Sequence, residues 1–327
     1  MYSMEQPPVI FESPWQQEHR KLKKDGNFTG GLLLALLVAE LLVSVGLMIF
    51  ASLNGWNLSA EGYGLGNTAY MIVNMGVYIL FLVVPTALIT LFSRRRIDVF
   101  PARKIKKSLL VTCVVGGMAL AVLSNMITGW FVTGMEFLGV PLPDFPETVE
   151  PTVVSLLLNI LATAVLPAFV EEWIFRGFVF GSLRAHGDGV AVVLSSLLFG
   201  LFHGNWVQIP FAFMIGLVLA YLVVLTDSIW PSVLLHGVNN LMSVLLSFMG
   251  LYVSTETANV MTTTVFLIVS AIGVAALVPF LVHHKRALPP IGNGVSLFTP
   301  GQRFSKLLTA PAMLIAVIGM LLLSMAV

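Results

Sequence analysis

Nine long apolar runs alternate with short polar segments along the chain. About 20 apolar residues are needed to cross the hydrocarbon core of a bilayer, so each run predicts one transmembrane helix. The fourth run is too long for one straight span, which favours a bend near Pro167 or a re-entrant piece before the helix continues. The pattern therefore predicts an all-α polytopic membrane protein. The nine runs cover residues 30–53, 69–92, 108–130, 153–184, 189–205, 207–225, 229–249, 260–282 and 306–326.

Composition agrees with a chain that lies mostly in lipid. Of the 327 residues, 57% are hydrophobic and 10% are charged, and the mean hydropathy is +0.93; a soluble domain is nearer a quarter charged. The net charge of +1 provides no basic field of the kind that would attract nucleic acid. We therefore expect an integral multi-pass protein in contact with membrane lipid, and the short loops favour the plasma membrane of a prokaryote.

The basic residues predict the orientation of the spans. If the N-terminus lies inside and nine spans follow, all 17 Lys and Arg fall in inner segments or at inner helix ends. The positive-inside rule then predicts an inner N-terminus and an outer C-terminus. The inner set is Arg20, Lys21, Lys23, Lys24, Arg94, Arg95, Arg96, Arg103, Lys104, Lys106, Lys107, Arg176, Arg184, Lys285, Arg286, Arg303 and Lys306, and the outer loops instead hold Glu61, Glu136, Asp144, Glu147, Glu150 and Glu256.

Three ionisable residues interrupt the fourth apolar run. The residues at 171–176 are Glu-Glu-Trp-Ile-Phe-Arg, between stretches without charge. Ionisable groups at membrane depth are costly and indicate a functional site. On a helix, Glu172 and Arg176 are four residues apart and can form an ion pair. Glu171 points about 100° away from Glu172, so we expect Glu171 to be available for chemistry. The alternative is that all three form an ion-paired packing element.

Two further polar clusters lie at compatible depths. His203 ends the fifth run, and His236 and Asn240 share a helix face in the seventh. At about 1.5 Å per residue from the inner helix ends, Glu171 and His203 both lie roughly 22 Å up, and His236 and Asn240 roughly 10 and 16 Å up. These heights permit one polar cluster of Glu171, His203, His236 and Asn240 within the helix bundle.

Such a cluster suits the hydrolysis of an amide by activated water. A carboxylate in an apolar environment is a stronger base than in water, and an imidazole can hold the same water. A second imidazole and a carboxamide can donate hydrogen bonds to a developing oxyanion. Glu171, His203 and His236 could instead bind zinc with an open position for water, so the residues leave both alternatives open. The single Cys113 lies in an apolar run, where a packing role is the simpler interpretation.

Three motifs in this order along the chain resemble the signature of the CPBP intramembrane proteases, which include the type II CAAX prenyl endopeptidases and the bacterial Abi proteins. The motifs are Glu-Glu-x-x-x-Arg at 171–176, Phe-x-x-x-His at 199–203 and His-x-x-x-Asn at 236–240. The stretch Thr-Asp-Ser-Ile-Trp-Pro at 226–231 is similar to the lead-in of that family, with Asp227 where a Gly is common. The resemblance covers about residues 150–245.

The resemblance implies a role for each motif residue. Glu171 would activate the water, His203 would position it, and His236 with Asn240 would bind the oxyanion. On the metalloprotease alternative, His203, His236 and Glu171 would hold zinc. In both, the pair formed by Glu172 and Arg176 would support the site, and the cavity would open towards the cytosol.

Taken together, these observations predict an intramembrane endopeptidase that acts on a membrane-associated peptide or protein, with a prenylated CAAX-like substrate as one option. No cofactor other than zinc is implied. The alternative is a non-proteolytic scaffold or bacteriocin-immunity-type protein that retains the fold. A proton-coupled transporter is less favoured because the spans show no repeated halves. The predicted segments are 1–29 (cytoplasmic and polar), 30–149 (N-terminal spans), 150–245 (protease core) and 246–327 (C-terminal spans).

Overall fold

The computed structural model describes residues 12–57, 64–92, 97, 100–140, 150–283 and 296–326. Helices make up nearly all of this part of the chain, and it contains no β-strand. The all-α polytopic architecture is therefore confirmed. Several residues used to predict the orientation lie outside the described ranges, namely Arg94, Arg95, Arg96, Lys285, Arg286, Glu61, Asp144 and Glu147.

Each predicted apolar run forms a helix, and the last run contributes to two. Numbered in chain order, the helices of the described ranges are α1 (Pro14–Leu53), α2 (Thr68–Phe92), α3 (Lys107–Phe137), α4 (Val153–His186), α5 (Asp188–Phe202), α6 (Gln208–Thr226), α7 (Trp230–Gly250), α8 (Thr255–His283), α9 (Pro300–Leu308) and α10 (Pro311–Ala326).

The expected count of nine spans is not confirmed. In the described part of the chain, seven helices are long and apolar enough to cross a membrane, or eight if one bent pair counts as a span. The helix α5 has only 15 residues. The ninth run is divided, because α9 and α10 meet at an angle of 75°. Pro311 begins α10 and cannot continue the preceding helix through its missing N–H, which explains the bend.

The helix α4 continues through Pro167 without ending there. It widens into two π-helical segments, Ile160–Val165 before the proline and Trp173–Val179 after it. Segments of this type are frequent at functional sites and accommodate an interruption of the helical hydrogen-bond ladder. The fourth run thus forms a single 34-residue helix, and its extra length does not come from a separate re-entrant piece.

One end of the bundle collects the basic residues, and we call it the basic face. Here the start of α1 meets the end of α4 through Asp25 and His186, whose side chains lie 2.9 Å apart. The end of α4 also meets the turn after α6, where Arg184 donates to Asp227 at 2.7 Å. The described Lys and Arg at this end are Arg20, Lys21, Lys23, Lys24, Arg103, Lys104, Lys106, Lys107, Arg184, Arg303 and Lys306.

The other ends of the helices meet at the opposite face, which we call the acidic face. Tyr252, after α7, donates to the carbonyl of Pro151, just before α4, at 3.0 Å. The ring of Phe131 near the end of α3 lies 6.4 Å from that of Trp206, between α5 and α6. Glu136, Glu150 and Glu256 belong to this end. The helices from α3 to α8 therefore alternate in direction, as the threading of the spans predicts. Which face is cytoplasmic stays a prediction.

Asp227 explains one departure from the motif of the resembling family. Its backbone is left-handed, with φ of 50°, at the end of α6. Glycine adopts this conformation without steric cost, and aspartate is among the residues that tolerate it. The Asp227 side chain also forms the ion pair with Arg184, a contact that glycine could not make.

Candidate active site

The four polar residues predicted to cluster line one cavity of about 250 Å³. The cavity lies between α4, α5, α6 and α7. Its polar wall consists of Glu171, His203, His236 and Asn240, together with Asn239 and Thr163. The structure thus brings the predicted residues together, while their catalytic roles stay a prediction.

The ion pair expected between Glu172 and Arg176 is present. Arg176 Nε lies 3.1 Å from Glu172 Oε2, and their side chains are 1% and 0% exposed. Arg176 Nη2 also donates to the carbonyl of Gly216 at 3.2 Å, and the guanidinium lies 4.4 Å from the ring centroid of Phe199. Because α4, α5 and α6 all contribute to these contacts, the pair fixes the packing of the three helices around the cavity.

His236 connects the two glutamates, which the sequence does not predict. Its Nδ1 lies 3.0 Å from Glu172 Oε1, and its Nε2 lies 3.9 Å from Glu171 Oε2. The Nδ1–H donates to the buried carboxylate, since a carboxylate accepts only. Glu172 therefore fixes the tautomer and the orientation of the ring and leaves Nε2 facing Glu171. The 3.9 Å separation exceeds a direct hydrogen bond, but it lets one water contact both atoms.

Glu171 is the more accessible carboxylate, with 15% of its side chain exposed. It is not entirely free, because the hydroxyl of Tyr78 in α2 donates to its Oε1 at 3.2 Å. Sequence reasoning missed Tyr78. The only signal is a hydroxyl-bearing ring in the middle of an apolar run, and this pattern occurs in many packed helices.

His203 follows the last turn of α5. Its Nδ1 contacts the carbonyl of Phe199 at 2.8 Å, and the two rings meet edge to face at 4.8 Å. Because a carbonyl accepts only, Nδ1 carries the proton and Nε2 is the nitrogen with which His203 can contact water. Phe199 also lies 6.0 Å from the ring of His236, so one aromatic ring positions both imidazoles. The chain turns at Gly204, which has φ of +59°.

Asn240 has a backbone partner across the cavity. Its Nδ2 donates to the carbonyl of Thr163 in α4 at 2.9 Å. The neighbouring Asn239 donates from Nδ2 to Asn240 Oδ1 at 3.2 Å, and the Oδ1 of Asn239 is buried without a hydrogen-bond partner in the described part of the chain. Asn240 therefore links α7 to α4, a structural contact in addition to the oxyanion role expected for it.

The zinc alternative is not decided by the geometry. Within the described residues, no group of three or more His, Cys, Asp or Glu side chains is placed to hold a metal ion. His236 uses Nδ1 for Glu172, and His203 uses Nδ1 for the Phe199 carbonyl, so each ring keeps Nε2 for a water or a metal. Zinc binding by His203, His236 and Glu171 therefore stays a prediction, and no step through a metal is derived.

Comparison with known proteins finds a similarity in the part of the chain that forms the cavity. Residues 153–242 match the family model described as type II CAAX prenyl endopeptidase Rce1-like. No curated protein and no solved structure matches the chain. The matched residues comprise α4, α5, α6 and the first part of α7, which contain all three motifs and the cavity that they line. This match supports the assignment of residues 153–242 to the CPBP/CAAX protease family.

Proposed function

We propose that the protein is an intramembrane endopeptidase that hydrolyses a peptide bond with water activated by Glu171. The observation that carries the proposal is the position of Glu171 Oε2 at 3.9 Å from His236 Nε2 in the wall of a cavity. The carboxylate of the neighbouring Glu172 is buried in its ion pair with Arg176. Two adjacent carboxylates in different environments can thus serve different roles, one as base and one as support.

In the proposed reaction, the attacking water lies between Glu171 and His236, within reach of His203. Glu171 takes one proton as the water oxygen bonds to the carbonyl carbon, and the electron pair of the C=O bond moves onto the oxygen. As the C–N bond breaks, Glu171 returns the proton to the departing amine. Proton transfer by a positioned carboxylate contributes about 10²–10⁴-fold to the rate.

The proposed oxyanion needs donors, and two side chains at the cavity could supply them. His236 in its protonated form has an Nε2–H to donate, while its Nδ1 stays bonded to Glu172. Asn240 has a second amide hydrogen besides the one given to Thr163. Removing one donor of this type typically costs about 10²–10³-fold in kcat.

The proposal is tested by cleavage of a panel of membrane peptides and prenylated peptides with the purified protein. Glu171→Gln is the matched variant, since it keeps the shape and the hydrogen bond with Tyr78 while removing the base. We expect activity that Glu171→Gln abolishes and that survives chelation. Activity lost on chelation and restored by zinc would favour the metalloprotease alternative. A substrate cleaved equally by both proteins would contradict the role of Glu171.

A non-proteolytic scaffold remains the second candidate, because the ion pair of Glu172 and Arg176 also serves packing. On that hypothesis, Glu171→Gln would leave the phenotype of the host cell unchanged, whereas a change that breaks the ion pair would abolish the function of the protein. A genetic comparison of Glu171→Gln with Glu172→Gln in the native host therefore separates the two functions.

A further inference from the structure

The small cavity at Glu171 continues into a larger one. The second cavity has a volume of about 710 Å³ and shares Thr163, His203, Asn239 and Asn240 with the first. Water or a peptide segment in the larger cavity therefore reaches the candidate catalytic residues directly. The opening of the larger cavity decides from which side of the membrane a substrate enters.

The larger cavity extends to the acidic face. Along α7 its lining runs from Asn239 to Gly250, a rise of roughly 16 Å at about 1.5 Å per residue. It also includes Gln208, the first residue of α6, and Thr255, the first residue of α8. All of these helix ends belong to the acidic face.

The side towards the basic face is closed. Glu172 and Arg176 are buried next to Glu171, and Phe175 and Phe178 are 0% and 2% exposed on the same helix. A separate cavity of about 950 Å³ lies at the basic face, lined by residues such as Arg103, Lys104 and Arg184. In the described part of the chain it shares no lining residue with the other two cavities. Nothing in this packing offers a route from the basic face to Glu171.

We infer that the candidate active site takes its substrate from the extracytoplasmic side of the membrane. The inference rests on the proposed function and deepens it. The positive-inside rule places Lys- and Arg-rich ends in the cytoplasm, so the acidic face is the outer one. The cavity then opens away from the cytosol, opposite to the direction that the resemblance implies.

The lining of the larger cavity indicates the chemistry of the substrate. Apart from His203, its polar groups are neutral amides and hydroxyls, among them Asn125, Gln208, Ser247, Thr255 and Asn259, and its lining contains no Asp, Glu, Lys or Arg. Such groups can donate to and accept from peptide bonds without favouring either charge. The inferred substrate is therefore an uncharged polypeptide segment that protrudes from the outer leaflet, or that follows a transmembrane helix on that side.

Cysteine accessibility tests the inference without any need for catalysis. The only native cysteine is removed by Cys113→Ser. Single cysteines are then placed at the exposed cavity positions Ser247 and Asn259, and at Ser108, which is exposed and lines the basic-face cavity. A membrane-impermeant maleimide is added to spheroplasts and to inverted vesicles. All variants must react fully in detergent, which shows that each cysteine is reachable in the folded protein.

We expect Asn259→Cys and Ser247→Cys to react in spheroplasts, and Ser108→Cys to react only in inverted vesicles. The reverse pattern would overturn the orientation, and reaction of all three from one side would overturn the placement of the two cavities at opposite faces. Failure of both cavity positions to react before detergent is added would overturn an open outer route. The same labelling in a Glu171→Gln background keeps this result independent of the proposed protease activity.

Discussion

Asn240 donates a side-chain hydrogen bond to the carbonyl of Thr163, four residues before Pro167. In a regular α-helix the N–H of residue 167 would pair with this carbonyl, but proline has no N–H. A typical intramolecular hydrogen bond contributes about 0.5–1.5 kcal/mol to stability. Asn240 therefore supplies, from another helix, the hydrogen bond that Pro167 cannot give, and it holds α7 against α4 at the level of the cavity.

A double-mutant cycle separates the structural and catalytic roles of Asn240. Asn240→Ala should destabilise the protein by about 0.5–1.5 kcal/mol, because the Thr163 carbonyl loses its donor. In a Pro167→Ala background, which restores a backbone N–H, the cost should shrink. Thermal unfolding in detergent measures both values. If Asn240 also binds the oxyanion, cleavage should stay impaired in the double variant. Equal destabilisation in both backgrounds would contradict the compensation between Asn240 and Pro167.

The adjacent glutamates should respond differently to the same substitution. Glu172→Gln leaves the Arg176 guanidinium buried without its anion, and breaking a buried pair typically costs about 3–5 kcal/mol. Glu171→Gln removes no ion pair with Arg176 and should change the unfolding temperature little, while cleavage falls by about 10²–10⁴-fold. Unfolding curves and initial cleavage rates of the two variants provide the measurement.

A rescue variant makes this prediction sharper. The change Glu172→Gln combined with Arg176→Met removes both charges and should be less destabilised than Glu172→Gln alone, because no unpaired charge remains buried. A double variant as unstable as the single one would show that the ion pair is not the source of the cost. A stable, active Glu172→Gln would contradict the supporting role of Glu172.

Tyr78 should act on the reaction through Glu171. Tyr78→Phe removes the hydroxyl that donates to Glu171 Oε1 and keeps the ring. A hydrogen bond to a charged group is worth about 1.5–3 kcal/mol, so misorientation of the carboxylate should lower kcat about tenfold or more, with little effect on KM. Tyr221→Phe, in α6, is the matched control and should keep its activity. Equal kcat values for Tyr78→Phe and the wild type would show that the Tyr78 hydroxyl has no role in the reaction.

The parts of this structure that the sequence predicts are those determined by local pattern. Apolar runs predict transmembrane helices because the number of consecutive apolar residues that cross the hydrocarbon core can be counted directly in the sequence. The pairing of Glu172 with Arg176 follows from a spacing of four residues. The clustering of Glu171, His203, His236 and Asn240 follows less directly, from depth along separate helices, and the structure places all four around one cavity.

The contacts missed by sequence reasoning all cross between helices. The contacts of His236 with Glu172 and of Tyr78 with Glu171 depend on the rotation of each helix about its axis, which apolar runs do not determine. The division of the ninth run was visible in principle, since Pro311 interrupts it. Its apolar character on both sides hides the change in direction, and both parts of the divided run pack against α1.

The crossing of α1 with α10 offers the most direct test of that packing. A methyl group added at Gly30 would lie 2.1 Å from the backbone nitrogen of Met313, and nothing lies within 4 Å of the same position at Gly31. Backbone atoms cannot move aside as a flexible side chain can, so Gly30→Ala should force the helices apart and destabilise the protein by about 1–3 kcal/mol or more. Gly31→Ala should be neutral or stabilising by about 0.5–1 kcal/mol, because alanine favours the helix. Unfolding temperatures in detergent compare the two neighbours under identical conditions. Equal stability of the two variants would show that α1 does not pack on α10 through Gly30.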